Sequence, residues 1–496
     1  MVTQTVTQEI YAPIPEGAKP IPPVPPPDKW DYDVDVLIVG SGIGGLMAAM
    51  GAIEEGIYGN RIMIIEKADY VGGESRHAWF ACPAGGKSWS KAFGKPWDED
   101  AKKRIFDLTM QLNNYKLDPK LLWKFIEWSA NGIDKLEELG VKIQFIELPP
   151  SPPTITSYTP YAAMALALRE KDYSKYPGTI GHCGIYTTAA EKFLKENNVT
   201  TLLETPAMNL VMDNGVVVGV RAKTREGKII HIKAKRVILS TGGFNYNLDM
   251  CKYYGGLPAL QGSTLCPPTK TGDGIRMSQG VGADISDMHN IEGAEGGIDG
   301  LQFGCLTQSL QQAAVSLART PSLMVNKFAE RFCNEDAMYG IVVLHLARQP
   351  DGLAFTIFDS TMIHKEEIME KFKTTVCEAP DPSPYVWLDE DHVVPVEQHP
   401  PIIYNHPELG FYEPYEDSLK RNIEEGKIIV ANTIEELAEK LGLDSQKLKK
   451  TIEEYNEICR TKKDPFGKRP ELLHPIEVPP FYAVKHKLMT WDTPGG

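Results

Sequence analysis

Val34 to Val39 is apolar except for Asp35, and Ile62-Met63-Ile64-Ile65 repeats the pattern before ending in Glu66. Runs of this kind predict short strands buried on both faces, as in a parallel sheet. Between them lie the glycine turn Gly40-Ser41-Gly42-Ile43-Gly44-Gly45 and a helix-length stretch. Helical spacing follows over about Asp100 to Leu112 and Pro119 to Leu139. From Thr201 to Ser240 the pattern becomes short β runs. Leu210-Val211-Met212 enters the turn Asp213-Asn214-Gly215, a strong hairpin signal, and Val216 to Val220 leaves it. Lys228 to Ile232 and Arg236 to Ser240 follow, so the expectation is a three-stranded meander returning to a separate parallel strand. Near the C-terminus, Thr433 with Glu436 forms a capping box, and Asp444 caps a helix running to about Arg460. Residues 1–30 are proline-rich and without periodicity, which reads as an extended arm. The tyrosine-rich stretch from Tyr158 to Gly178 reads as a loop.

The first strand, turn and acid form a dinucleotide unit. Gly40 permits the tight turn, Gly42 lets the backbone approach a pyrophosphate, and Gly45 lets the next helix lie against the strand. Ile43 and Gly44 open that helix, whose N-terminal amides and dipole favour phosphate. Glu66 stands at the end of the second strand, where a carboxylate grips ribose hydroxyls and repels a ribose phosphate, arguing against NADP.

Length and composition narrow the class further. At 496 residues the chain exceeds one compact core, so two domains are expected. Hydrophobic residues make up 42% and charged residues 24%, as in ordinary globular proteins. A net charge of −14 disfavours nucleic acid or an anionic membrane surface as partner. The eight cysteines lack CxxC or zinc spacing and read as reduced core thiols, so no metal site is expected. No secretory segment or long uncharged apolar run is evident, and the expected location is cytoplasmic. The sequon at Asn198 is then a chance match. GxSxG, HExxH, P-loop and EF-hand patterns are absent, and pairs such as Glu366-Glu367 read as solvated helix faces.

Several motifs in fixed order carry a family resemblance. They are the GxGxxG turn, Glu66-Lys67, Gly72-Gly73-Glu74-Ser75, Leu239-Ser240-Thr241-Gly242-Gly243-Phe244 and Thr271-Gly272-Asp273-Gly274. Leu323 to Lys327, Arg331 to Asp336 and Pro479-Pro480-Phe481-Tyr482-Ala483 extend the series. Together they resemble the fumarate reductase and 3-ketosteroid dehydrogenase superfamily of FAD enzymes, over about Asp33 to Gly496. The resemblance implies an α/β fold, with a Rossmann-like FAD-binding domain over 31–285 that includes the meander at about 201–235. It implies an inserted α+β substrate-binding cap over 286–475 and a strand returning to the FAD domain over 476–496. FAD contacts carry over to Gly40, Gly42, Ile43, Gly44, Gly45, Glu66, Lys67, Gly73, Glu74, Ser75, Ala207, Thr241, Gly242 and Asp273. Covalent flavin attachment at His77 is not expected, because Ser75-Arg76-His77-Ala78 does not match that motif. His182 and His289 have no assigned role.

One position separates the branches. Where fumarate reductases place the arginine that protonates substrate, five residues after Asn334, this chain has Tyr339. The run Asn334 to Gly340 instead resembles 3-ketosteroid Δ4-dehydrogenases, which implies a catalytic tyrosine. A tyrosine beside a flavin exchanges a proton at carbon next to a ketone; the other reading of Tyr339 is an aromatic packed on the flavin. The expected substrate is a small enone or ketone, steroid-like or alicyclic, with an electron donor or acceptor left unnamed. Two readings stay open beside it. One is an ene-reductase of an unsaturated acid with Arg331 as the nearest carboxylate clamp; the other is a flavin-binding subunit without turnover. Tyr158 and Tyr161 are candidates for a substrate cleft, although surface loop aromatics are the plainer reading. Relatives continue beyond a glycine pair like Gly495-Gly496 into a segment that closes over the flavin ring. The expectation is that the reading frame is incomplete, that a stop codon is recoded, or that a second polypeptide completes the site.

Overall fold

The structure is a computed structural model. It describes residues 13–77, 84–112, 115–141, 143–147, 163–167, 183–255, 263–264, 268–289, 291–297, 322–335, 337, 339–363, 420 and 423–492. Strands β1 (Tyr32–Val39) and β2 (Ile62–Ile65) flank helix α1 (Ile43–Glu54). Helices α2 (Lys87–Phe93), α3 (Glu99–Leu112) and α4 (Pro119–Glu138) come next, within two residues of the expected bounds for the last two. Asp118 caps α4 by accepting from the amides of Lys120 and Leu121, with Pro119 in the first turn. The antiparallel pair β3 (Ile143–Glu147) and β4 (Ala163–Ala167) precedes helix α5 (Cys183–Glu196) and β5 (Thr200–Leu202). Then come β6 (Ala207–Asp213), β7 (Val216–Lys223), β8 (Ile229–Leu239), α6 (Leu248–Gly255), β9 (Ser263–Thr264) and α7 (Asp273–Gly280). The second half holds β10 (Glu292–Gly297), β11 (Leu323–Asn326), α8 (Tyr339–Ala347), β12 (Leu353–Asp359) and β13 (Ile428–Ala431). It ends with α9 (Ile434–Leu441), α10 (Ser445–Thr461) and β14 (Phe481–Asp492).

The first sheet runs β5-β2-β1-β8-β7-β6, with β5, β2, β1 and β8 parallel. Both faces of β1 are covered, which explains its near-continuous apolar sequence. Val36 and Ile38 meet α1 and α5 through Leu46, Met50, Ala190 and Leu194. Leu37 and Val39 meet the meander and Met277 of α7 on the other side. The hairpin forms as expected, with Asn214 at φ 49° and Gly215 at φ 81°, both in the left-handed region that a tight primed turn requires.

The meander corrects one expectation. Lys228 to Ile232 and Arg236 to Ser240 are not two strands but the two ends of β8. Its first half pairs antiparallel with β7 and its second half parallel with β1. The strand runs on through the junction: Ile230, Ile232 and Ala234 are buried while Lys233 and Lys235 face water and pair with Asp33 and Asp35. The described part of the arm, from Pro13, is extended apart from a short 3-10 turn at Glu16–Ala18, and it is docked. Val24 exchanges backbone bonds with Leu210 and Met212, the Ile21 amide donates to Arg276 O, and Ala18 is fully buried.

A second sheet has the order β10-β14-β12-β11, with β13 and β9 also pairing with β14. β14, in the stretch 476–496 expected to return to the FAD domain, is the central strand of the second sheet; it also pairs with β9, and its Leu488 packs with Phe244 and Met250. Its side chains dictate this placement. Phe481 and Ala483 lie against α9 and α10, while Tyr482 and Val484 fill the opposite face with Phe358 and Met362. The capping box closes α9: the Glu436 amide donates to Thr433 Oγ1 and the Glu436 carboxylate accepts from the Asn432 amide. Asp444 caps α10 through the amides of Gln446 and Lys447. The two halves meet where Phe244, Met250 and Cys251 of the first pack with Met288, Ala347 and Leu488.

Candidate functional site

The residues assigned to the cofactor converge at the carboxyl ends of β1, β2 and β8, where open α/β sheets bind ligands. Gly40 has φ 101°, and a Cβ there would lie 2.2 Å from Ser240 O. A Cβ on Gly45 would lie 2.1 Å from Gly40 O and 3.2 Å from Ile38 Cγ2, so this glycine lets α1 sit on β1. The protein's own packing thus explains both. Gly42 and Gly44 are different. Gly42 has an ordinary φ of −56°, and its Cβ would meet only Ser75 Oγ at 3.5 Å and Gly72 O at 4.0 Å. The Cβ of Gly44 would meet only Ser240 Oγ, at 3.9 Å. These two border a cradle that a side chain would fill, at a helix end whose amides have no intrahelical partner. That fits a pyrophosphate approaching the backbone.

Glu66 follows β2 directly and is 6% exposed. Its Oε2 accepts from the Ser41 amide and hydroxyl, both at 2.8 Å, and its Oε1 accepts from the Ala68 amide at 2.8 Å. The carboxylate is fixed at the strand end, and Oε1 keeps a further acceptor direction for a ribose hydroxyl. Ser41, the residue between the first two glycines, was not among the expected site residues. Its Oγ also accepts from the Gly72 amide at 3.1 Å, joining the turn to the next loop. The Ser75 hydroxyl accepts from the Ile43 amide at 3.1 Å, so Gly73, Glu74 and Ser75 lie over the start of α1. Ala207 begins β6, two residues after Thr205, whose amide donates to Glu66 O.

The opposite wall is the Thr241-Gly242 turn with the segment leading into α7. A Cβ on Gly274 would lie 2.1 Å from Thr241 Oγ1, so the two approach closely. Lys67 Nζ reaches this wall, donating to Thr271 Oγ1 at 2.6 Å and Asp273 Oδ2 at 2.8 Å. Glu74 pairs with Lys270. Sequence reading missed Lys270, although a charged residue entering a Thr-Gly-Asp-Gly turn was a visible signal. Nearby Cys251 is no reactive thiol, because burial pushes it up to about 12.

Arg331 does not serve as the free cation that a carboxylate clamp needs. Its Nε and Nη2 donate to Glu335 at 2.9 and 2.7 Å, and its Nη1 and Nη2 donate to Asp464 at 2.6 and 3.0 Å. The guanidinium lies 5.2 Å from the Tyr455 ring centre and 4.9 Å from that of Phe466. Lys468 completes the group, 3.4 Å from Glu335 Oε2 and donating to Ser322 O. Burial would raise the carboxyl of Glu335, but Lys468 and Arg331 outweigh it and hold it below the usual range. Burial lowers Lys468. Two cations and two anions thus form a neutral internal network. The signature Arg331 to Glu335 is, by this geometry, a support.

Tyr339 is the first residue of α8, and its side chain is outside the described residues, as is that of His77. Ala347, at the far end of α8, packs with Phe244 next to the Thr241 turn. Tyr158, Tyr161, His182, Glu366, Glu367 and Gly495-Gly496 also fall outside the described residues, while His289 is exposed on a loop. Among the described residues no helix is long and apolar enough to cross a membrane.

A family model described as FAD binding domain matches residues 35–496. The NADH:fumarate oxidoreductase of Klebsiella pneumoniae (strain 342) is 24% identical over 95% of this chain, which spans 42% of that relative's length. A flavocytochrome c3 fumarate reductase in an open conformation superposes with a TM-score of 0.66 at 22% identity, over 94% of this chain and 69% of the other. The 3-ketosteroid-Δ4-(5α)-dehydrogenase of Rhodococcus jostii RHA1, solved with 4-androstene-3,17-dione, gives 0.62 at 21% identity, over 96% and 88%. At such identities the structural likeness establishes the fold. The chain belongs to the FAD binding domain family, and FAD is its cofactor.

Proposed function

We propose, from membership of that family, that the chain is an FAD-dependent oxidoreductase of carbon–carbon bonds. It introduces or reduces a C=C bond conjugated to a ketone in a steroid-like or alicyclic substrate. Bound FAD supplies the two-electron step at the substrate carbon. The glycine turn, Glu66, Lys67, Gly73 to Ser75, Ala207, Thr241-Gly242 and Asp273 hold and orient it. Tyr339 moves the proton at the neighbouring carbon.

The observation that carries the ketone reading over the unsaturated acid is Arg331. Two carboxylates hold its guanidinium, and the position of the fumarate reductases' arginine is Tyr339. The Rhodococcus neighbour, solved with a steroid enone, supports the same substrate class. The Klebsiella relative, named for fumarate, favours the second reading, reduction of an unsaturated acid.

A dye-coupled assay on the FAD-loaded protein separates them. Turnover of enone/ketone couples with none of 2-enoates is expected, and the reverse pattern selects the acid. Tyr339→Phe should lower turnover about a hundredfold with flavin content unchanged. Turnover that survives the substitution removes the tyrosine from its role.

A further inference from the structure

Two ion pairs join the same two walls of the cofactor cleft in opposite senses. Lys67, on the wall that follows β2, reaches Asp273 and Thr271 on the wall entering α7. Glu74, on the first wall, takes Lys270 from the second. The first wall borders the glycine turn, where a Cβ on Gly73 would lie 3.8 Å from Gly42 Cα, and within the second wall a Cβ on Gly242 would lie 3.9 Å from Lys270 Cε. Each wall therefore contributes one cation and one anion, and the crossing is neutral. Lys270 is nearly enclosed, with 5% of its side chain exposed, so its pairing is weakly screened. The Lys67 pair is about a quarter exposed on each side and more open to salt.

A neutral crossing adds no net attraction for a pyrophosphate, so its effect falls on the path of the cofactor rather than on the charge it meets. We propose that Lys67–Asp273 and Glu74–Lys270 form an electrostatic clasp over the dinucleotide cleft, and that FAD enters and leaves by parting them. Lys270 is thereby a positioning residue for cofactor retention. The proposal rests on FAD binding in this cleft and deepens that reading.

The test uses the FAD-loaded protein and follows release of flavin by its fluorescence. Wild-type release should accelerate between about 0.05 and 1 M NaCl. Lys270→Met and Glu74→Gln should each release FAD about tenfold faster, the scale of one lost charge-assisted contact, while keeping the wild-type salt response, which the more open Lys67–Asp273 pair carries. The exchanged pair Lys270→Glu with Glu74→Lys should return the rate to within about threefold of wild type. Melting of the FAD-free proteins runs alongside. Lower melting temperatures with unchanged release rates mean a merely structural pair and overturn the clasp, as does an exchanged pair no better than the single variants. A wild-type protein that takes up no FAD overturns the cofactor reading itself, a distinct result from FAD that binds and leaves indifferently.

Discussion

Replacing Glu335 by glutamine tests the internal network directly. Glu335 is 1% exposed and accepts from Arg331 Nε and Nη2 and, at 3.1 Å, from the Met324 amide, with Lys468 beside it. Glutamine keeps the shape and one acceptor oxygen but deletes the charge. Arg331 and Lys468 are then opposed by Asp464 alone, which leaves one uncompensated positive charge in the interior. Removing one partner of a buried pair costs about 3–5 kcal/mol. The loss should appear as faster hydrogen exchange at the Met324 amide and as a lower urea midpoint. Adding Lys468→Met restores neutrality and should recover about half of the loss or more. A single variant costing less than about 1 kcal/mol, or a double variant no better than the single, would refute the charge-balance reasoning. The same network sets an acid limit. Burial would raise Glu335 and Asp464, but Lys468 and Arg331 on the first and Arg331 on the second hold both below the usual carboxylate range. Their contribution is complete above the unfolded carboxylate range near pH ~4 and is lost as pH falls through the lowered folded values. Wild-type melting temperature should drop steeply below about pH 4, and Glu335→Gln should flatten that drop.

Gly42→Ala should leave the FAD-free protein nearly as stable, because its Cβ meets only ordinary contacts, while FAD affinity measured by titration falls tenfold or more, about 1.4 kcal/mol. Gly45→Ala should instead destabilise the protein itself by about 1–3 kcal/mol in a melt, since its Cβ would strike Gly40 O. Equal effects of the two would remove the distinction between cradle and packing glycines. Asp444→Ala deletes the cap of α10 and should cost about 1 kcal/mol in urea unfolding.

The sequence alone determined what is decided within a few residues. The strand, glycine turn, helix and acid at Val34 to Glu66, the Asn214-Gly215 hairpin and the caps at Thr433 and Asp444 each follow from local periodicity or a specific backbone angle. Tertiary structure decided what depends on distant partners. Only the closed chain brings Arg331 to Asp464 and Glu74 to Lys270, turning one candidate clamp into a support and revealing an unassigned lysine at the cofactor cleft. It also decided strand placement, because an apolar run states that both faces are buried without naming its neighbours. β8 could therefore join two readings into one strand, and β14 could sit at the centre of the second sheet. The physical reason is the same throughout: propensity and patterning act locally, whereas pairing of charges and strands is settled by which loops close.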